Sequence, residues 1–460
     1  MTELKTHVDA RKDELLAELV ELLEIPSVST DDAQKGEVAR CAQRVAERLR
    51  GAGLETTVFP TQGHPIVYAQ RLDAPGAPTV LVYGHYDVQP PDPVELWKHG
   101  PFEPTVEDGY LYARGATDDK GQFYALVKGI ETALAVRGKL PCNVKLLCEG
   151  EEEIGSPNLD PFIRKERERL ACDVVFISDC SQFGIDLPAI TYGLKGLCYL
   201  ELFVRGPSKD LHSGSFGGAV ANPANVLTRM IAACQGPDGK VAIPGFYDDV
   251  RPIETWERDA MRKLPFDDDE FRRSVGAPKL AGEAGFTTLE RKGARPTFDV
   301  NGLRSGFQGL GAKTVLPAVA SCKFSMRLVP DQDPAKITAL VSDFLREIAP
   351  DSVTIEVVDH HGARPVIVSR DGAAVKAAER ALEIGFGKRP VFVREGGSIP
   401  VVNTFQSALG VESLLVGLGL PDDNPHSPNE RFRIVDYYRG IVTMAAFLDE
   451  LGRGSFGKGS

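Results

Sequence analysis

Apolar and polar positions along the chain fall into two textures. Leu4, Val8, Leu15, Leu16, Leu19, Val20, Leu22 and Leu23 largely follow helical spacing, which predicts a helix ended by "IPS". A second helix is predicted over "EVARCAQRVAERLRGAG", whose trailing glycines mark a helix C-terminus. Strand-like runs follow at "IVYAQRL", "TVLVYG", "NVKLLCEG" and "DVVFISD", separated by helical stretches such as "GQFYALVKGIETALAV". That alternation predicts a parallel α/β sheet. The run "TVLVYGHYDV", Thr79 to Val88, is apolar on both faces, as a strand covered on both sides would be. His85 and Asp87 then stand at its carboxyl end, where ligands collect in open α/β sheets.

After Tyr192 the texture changes. "KGLCYLELFVRG" alternates like a half-buried strand, and "VASCKFSMRLVP" and "VTIEVVDHH" follow with a helix between them, which predicts an α+β domain. From about Val366 the chain returns to helix and apolar strand, including "ESLLVGLGL". At 460 residues the chain exceeds the size of a single core. The expected organisation is a discontinuous first domain, 1–194 and 367–460, interrupted by a second, 195–366.

Composition narrows the partners. The formal net charge is −12, with 42% hydrophobic and 26% charged residues. Nucleic acid and anionic membranes need clustered lysine and arginine, so neither is expected, and a small or zwitterionic partner is. The opening segment carries charges throughout, without the apolar core of a signal peptide, and no stretch is apolar for long enough to span a bilayer; a cytoplasmic location is expected. Eight cysteines are scattered without a CxxC pair, which predicts buried reduced thiols.

Five polar clusters stand beside these runs. His85 follows "TVLVYG", Glu151, Glu152 and Glu153 follow "NVKLLCEG", Asp179 ends "DVVFISD", His426 lies beyond "SLLVGLG", and "TDDKG" opens the helix starting near Gly121. If the strands are parallel, all five meet on one rim. Each alone reads as a turn, a helix cap, a solvated loop or a surface histidine. Together, two histidines and several carboxylates without a thiolate suit Zn²⁺ or a harder ion such as Mn²⁺. If one aspartate bridges two ions, each needs only two further ligands, leaving positions open for water and substrate. A further carboxylate outside that shell could take a proton from the water.

"GHYDVQP", "GATDDKG", "EEEIGS", "ISD" and "PHSPNE" resemble, in this order, the motifs of the co-catalytic metallopeptidases that include carnosinase, cytosolic nonspecific dipeptidase, succinyl-diaminopimelate desuccinylase and glutamate carboxypeptidase. "KDLHSGSFGG", "MRLVPDQDP" and "REGGSIP" narrow the resemblance to the dipeptidase branch. It implies an α/β fold with a mostly parallel sheet in the metal-binding catalytic domain and an inserted α+β lid that mediates homodimerisation. It implies two divalent ions per subunit, Zn²⁺ first with Mn²⁺ or Co²⁺ as alternatives. Asp118 would bridge them, with Glu153 and His426 on one ion and His85 and Asp179 on the other. Glu152 is implied as general base, Asp87 as the group that orients His85, and the Asp118–Asp119 peptide as cis. His212 in the lid is implied to reach the partner subunit's site and polarise the scissile carbonyl. Thr314, Arg327, Gly397 and Ser398 are implied to hold the substrate's carboxylate, the arginine through paired charge-assisted hydrogen bonds. Human-type dipeptidases carry a tyrosine two residues after the equivalent of Asp179, where this chain has Ser181, a difference that bears on recognition of the substrate's amino end. His360 and His361 are read as a solvated strand end.

These residues lead to the expectation of a two-metal hydrolase that cleaves the amide bond of dipeptides or similar small amino-acid conjugates. An N-acyl amino-acid deacylase on the same scaffold is the first alternative. A non-catalytic binding protein is the second, and the intact Glu152 argues against it.

Overall fold

The structure, a computed structural model, describes residues 2–454. It divides into two compact units, Met1–Tyr192 with Val368–Val393 and Pro400–Ser460, and Gly193–Ile367 with Arg394–Ile399. The sequence pattern alone leaves Arg394–Ile399 in the first domain. The segment clusters with the second because Arg394 pairs with Glu257, and the Ser398 hydroxyl accepts from Arg327 and donates to the Lys195 carbonyl.

In the first unit, seven strands of a large sheet lie in the order Glu55–Phe59, Ile66–Arg71, Asn143–Glu149, Thr79–His85, Val174–Ile177, Ser413–Gly417 and Ala189–Leu194. The four from Asn143–Glu149 to Ser413–Gly417 run parallel. Glu55–Phe59 and Ile66–Arg71 pair antiparallel, since residues 60–65 are too few for a crossover helix, and Ala189–Leu194 runs antiparallel to Ser413–Gly417. Both faces of Thr79–His85 are covered. Val80 and Val82 join a core with Phe123 and Ile130 of the helix Lys120–Arg137 and Ile441 and Ala445 of Ile434–Arg453. Tyr83 lies edge-on to Phe405 of the helix Pro400–Leu409, with ring centroids 5.5 Å apart.

One predicted helix is two. The N-terminal segment breaks into Thr2–Ala10 and Lys12–Leu23 at Arg11, where the apolar stripe is interrupted and the guanidinium turns to Glu14 and Glu131. Farther along the chain, Gly84 allows a close approach between strand and helix. A Cβ there would lie 2.4 Å from the Phe123 ring and 2.9 Å from Asp119 Oδ2. Without one, the end of Thr79–His85 reaches the start of Lys120–Arg137, and the His85 N–H donates to Asp119 Oδ2 at 3.3 Å.

The second unit is built on an antiparallel sheet in the order Asp299–Ser305, Val319–Leu328, Gly196–Arg205, Thr354–Ala363. Gly196–Arg205 alternates buried and half-buried residues, as its sequence predicts. Its inward residues Cys198, Leu200, Leu202 and Val204 pack with the helices Pro223–Ala233 and Pro334–Ile348. Both helices start on a side-chain cap, Asn222 or Asp333, followed by proline. His360 and His361 are exposed near the end of Thr354–Ala363, the first 3.2 Å from Glu201 and the second stacked on Tyr199. None of the eight cysteines is in a disulfide, and seven are buried. Among the described residues no helix is long and apolar enough to cross a membrane.

Candidate metal centre

Parallel strands put their carboxyl ends on one rim, and the polar residues that follow them meet there. His85 closes its strand, Glu152 and Glu153 lie in a short turn after Asn143–Glu149, Asp179 follows Val174–Ile177, His426 lies in the loop after Ser413–Gly417, and Asp118 precedes Lys120–Arg137. Ligand atoms of His85, Asp118 and Asp179 all lie within 4.8 Å of one another, and so do those of Asp118, Glu153 and His426. Asp118 belongs to both trios, and each of its oxygens faces a different histidine. His85 Nε2 is 3.3 Å from Oδ1, and His426 Nε2 is 2.9 Å from Oδ2. His426 Nε2 also lies 3.2 Å from Glu153 Oε2.

The surrounding hydrogen bonds fix these positions. Asp87 is fully buried and accepts from two backbone N–H groups, those of Glu152 at 3.2 Å and Glu153 at 3.1 Å. It thereby sets the turn that presents both glutamates. His85 Nδ1 lies 3.1 Å from the Asp87 carbonyl, a contact that places the ring proton on Nδ1 and leaves the Nε2 lone pair facing the trio. Gln89 Nε2 donates to Glu153 Oε2 at 2.8 Å. Glu151, the first of the three glutamates, faces away from the trios and accepts from the His64 N–H at 2.9 Å and from the Asn158 amide. The Asp118–Asp119 peptide is cis, and His426 holds the left-handed backbone at φ 60°. Glu430, buried behind the loop, accepts from the N–H groups of Gly115, Thr117 and Asp118.

Two observations test whether divalent metal fits. His85 Nε2 and Glu153 Oε1, one in each trio, are buried and have no hydrogen-bond partner, a rare condition in native structures. The cluster also carries more negative charge than its histidines offset. Burial pushes the Asp179 carboxyl well above the usual range, with repulsion from Asp118 and Asp119 adding to it. Burial likewise pushes Glu152 up to about 7, with Glu153 and Asp118 adding and His85 opposing. Hydrogen bonds to Asp118 and Glu153 push His426 up to about 10. His85 is raised as well: burial opposes its charge, but Asp118 and Asp87 outweigh burial. Such groups attract protons or cations, and a divalent cation in each trio meets the same demand. Imidazole and carboxylate donors suit a borderline or hard divalent ion, so the residues fit.

The five remaining sequence-predicted residues lie in the second unit in two groups, His212 near Thr314, and Arg327 with Gly397 and Ser398. Leu211–His212 pairs antiparallel with Val315–Leu316, and the Ser213 N–H donates to the Thr314 carbonyl at 3.1 Å. His212 is exposed, and its Nδ1 accepts from the Gly214 N–H at 3.0 Å, so in the neutral ring Nε2 carries the proton. Arg327 Nη1 donates to Ser398 Oγ at 3.0 Å, beside the exposed Gly397. Gln89 and Glu430 were not singled out by sequence, although "GHYDVQP" and "PHSPNE" contain them.

Residues 81–450 match the family described as Peptidase family M20/M25/M40. The chain is 34% identical to the Cys-Gly metallodipeptidase of Schizosaccharomyces pombe, over 96% of this chain and 97% of that protein. It is 31% identical to the beta-Ala-His dipeptidase of Homo sapiens, over 97% of this chain and 92% of that protein. Among solved structures it is similar to the dipeptidase Dug1p of Saccharomyces cerevisiae, with a TM-score of 0.87 and 32% identity over 99% of both chains. A match of that extent makes this chain a member of peptidase family M20/M25/M40.

Proposed function

We propose that the chain is a metal-dependent dipeptidase that hydrolyses the amide bond of dipeptides or similar small amino-acid conjugates. The observation that carries this reading is the pair of ligand trios sharing Asp118, each with a buried atom that lacks a partner. Asp118 would bridge two divalent ions, with His85 and Asp179 completing one site and Glu153 and His426 the other. Zn²⁺ is the first candidate for both, with Mn²⁺ or Co²⁺ as alternatives. Bound there, the ions would polarise the scissile carbonyl and make water acidic near neutral pH. Glu152 takes the proton from the attacking water on a carboxylate oxygen and passes it to the leaving amine nitrogen. Asp87 keeps that carboxylate in place through the Glu152 N–H.

The second unit supplies the other groups. His212 offers its Nε2–H to the carbonyl oxygen in the partner subunit's site as charge develops there. Arg327 and Ser398, already hydrogen-bonded, hold the substrate's carboxylate with Thr314 and Gly397. The relatives named above support a dipeptide, since Cys-Gly and beta-Ala-His each end in a carboxylate and begin with an amine. A homodimer through the second unit is supported by its edge strand Asp299–Ser305, where Val300 and Leu303 are exposed. Buried thiols outside any disulfide support a cytoplasmic enzyme.

The test is to strip the protein with chelator, restore Zn²⁺, Mn²⁺ or Co²⁺, and compare Cys-Gly, beta-Ala-His, Gly-Ala and acetyl-Ala. Metal-dependent hydrolysis of the dipeptides is expected. Preference for acetyl-Ala over Gly-Ala would make the enzyme a deacylase instead, and full activity in verified metal-free protein would overturn the mechanism.

A further inference from the structure

We infer that Glu430 is a positioning residue of the metal centre: one carboxylate that sets the Asp118 turn and ties it to the segment carrying His426. The inference rests on the metal reading above but on different atoms. Glu430 is fully buried. Its Oε1 accepts from the N–H groups of Thr117 at 2.9 Å and Asp118 at 3.1 Å. Its Oε2 accepts from Gly115 N–H at 3.0 Å and Arg114 Nη1 at 2.8 Å. One side chain therefore receives four donors from a single stretch of backbone and its arginine.

That stretch decides where Asp118 points. Both Asp118 oxygens are in use, one toward each histidine, so a small swing of its backbone removes it from both trios at once. Glu430 stands four residues after His426, and its carbonyl accepts from the Ala113 N–H at 3.1 Å. Asp423, three residues before His426, makes a second tie, accepting from the Thr117 hydroxyl at 3.3 Å. Arg114, also buried, extends the hub to a third segment: Nη2 donates to the Pro90 carbonyl at 3.1 Å, and the guanidinium lies over the Trp97 ring. Pro90 follows Gln89, which holds Glu153. Three segments that provide or steady ligands thus converge on one ion pair.

A glutamine at 430 tests this geometry. Its amide has one oxygen, so one pair of donors, either Thr117 and Asp118 or Gly115 and Arg114, would face an NH₂ group instead of an acceptor. The experiment compares wild type, Glu430→Gln and a control, Glu18→Gln. Glu18 is the acceptor of the Lys128 ammonium and Tyr124 hydroxyl in the same unit, away from the ligands. Each is titrated with Co²⁺ after metal removal, following the visible spectrum and the bound cobalt by equilibrium dialysis, with melting by circular dichroism alongside. Wild type should bind two Co²⁺ per chain. Glu430→Gln should keep its native circular dichroism, bind cobalt about 10- to 100-fold more weakly, and show an altered visible spectrum. Glu18→Gln should melt earlier yet bind cobalt with the wild-type affinity and spectrum. Wild-type affinity and spectrum in Glu430→Gln overturn the inference, and a wild type that binds no cobalt removes the metal reading and this inference with it. If Glu430→Gln does not fold, Arg114→Lys takes its place, since it leaves the three backbone donors intact. Several-fold weaker cobalt binding there upholds the inference, and unchanged binding overturns it.

Discussion

Glu152 and Glu153 are adjacent, chemically identical and anchored by the same Asp87 carboxylate, yet only Glu153 belongs to a ligand trio. Glu152→Gln should therefore keep both metals and lose roughly 10² to 10⁴ in rate, the range of a lost general base. Glu153→Gln should lose metal instead. Steady-state kinetics and metal analysis on both variants check this, and the reverse pattern would shift the assignment by one residue. Lys195 carries a different prediction. Burial pushes its ammonium down to about 7, with repulsion from Arg327 adding, although Nζ donates to the Arg291 carbonyl at 2.8 Å. The unfolded chain, with a lysine pKa of about 10.4, binds more protons across the window between those values. Stability therefore rises with pH through that window, and the penalty is largest below it. Relative to wild type, Lys195→Met should gain most near pH 6 and least near pH 10, by urea unfolding at both; an equal difference would refute the assignment of a depressed lysine. The members of the two candidate trios were legible because each stands in a contiguous motif, at a strand end for His85 and Asp179, before a helix for Asp118 and in a turn or loop after a strand for Glu153 and His426. Gln89, Glu430 and Lys195 were not, because a hydrogen bond between residues far apart in the chain leaves no mark on residue spacing.

At the scale of elements, the apolar runs marked the buried strands of a mostly parallel sheet, but "IVYAQRL", expected among the parallel strands, pairs antiparallel on both sides. They carried no information on direction, and the antiparallel flank followed from a connection too short for a helix. Arg394–Ile399 was misplaced for a related reason: "REGGSIP" has no apolar period, and its allegiance is decided by hydrogen bonds to Lys195 and Arg327. The contact between Thr79–His85 and Lys120–Arg137 through Gly84 yields a test. Gly84→Ala should destabilise by about 1–3 kcal/mol, since the new methyl must displace the Phe123 ring in a packed core. The same methyl crowds Asp119 Oδ2, the acceptor of the His85 N–H, so metal affinity should fall together with the melting temperature. Loss of stability with unchanged metal affinity would show that the two elements' approach is not what places His85.

At the scale of the molecule, the proposed homodimer predicts that defects in different chains complement each other. His212→Ala and Glu152→Ala chains, nearly inactive alone, would be co-expressed with different tags. If His212 serves the partner's site, each mixed dimer keeps one working site of two, and random pairing should restore about a quarter of wild-type activity. Mixed dimers no better than their parents would mean that His212 acts within its own subunit or takes no part. A last consequence follows from the place of Ser413–Gly417 between Val174–Ile177 and Ala189–Leu194. Its two neighbours leave the ribosome before the second unit, whereas this strand leaves after all of it. During synthesis the sheet of the first unit therefore waits with a gap between Val174–Ile177 and Ala189–Leu194 and two strand edges unpaired, while Gly193–Ile367 has all that its own core requires. His426 emerges later still, so a nascent chain halted before Ser413 keeps those two strand edges unpaired and cannot complete the second trio.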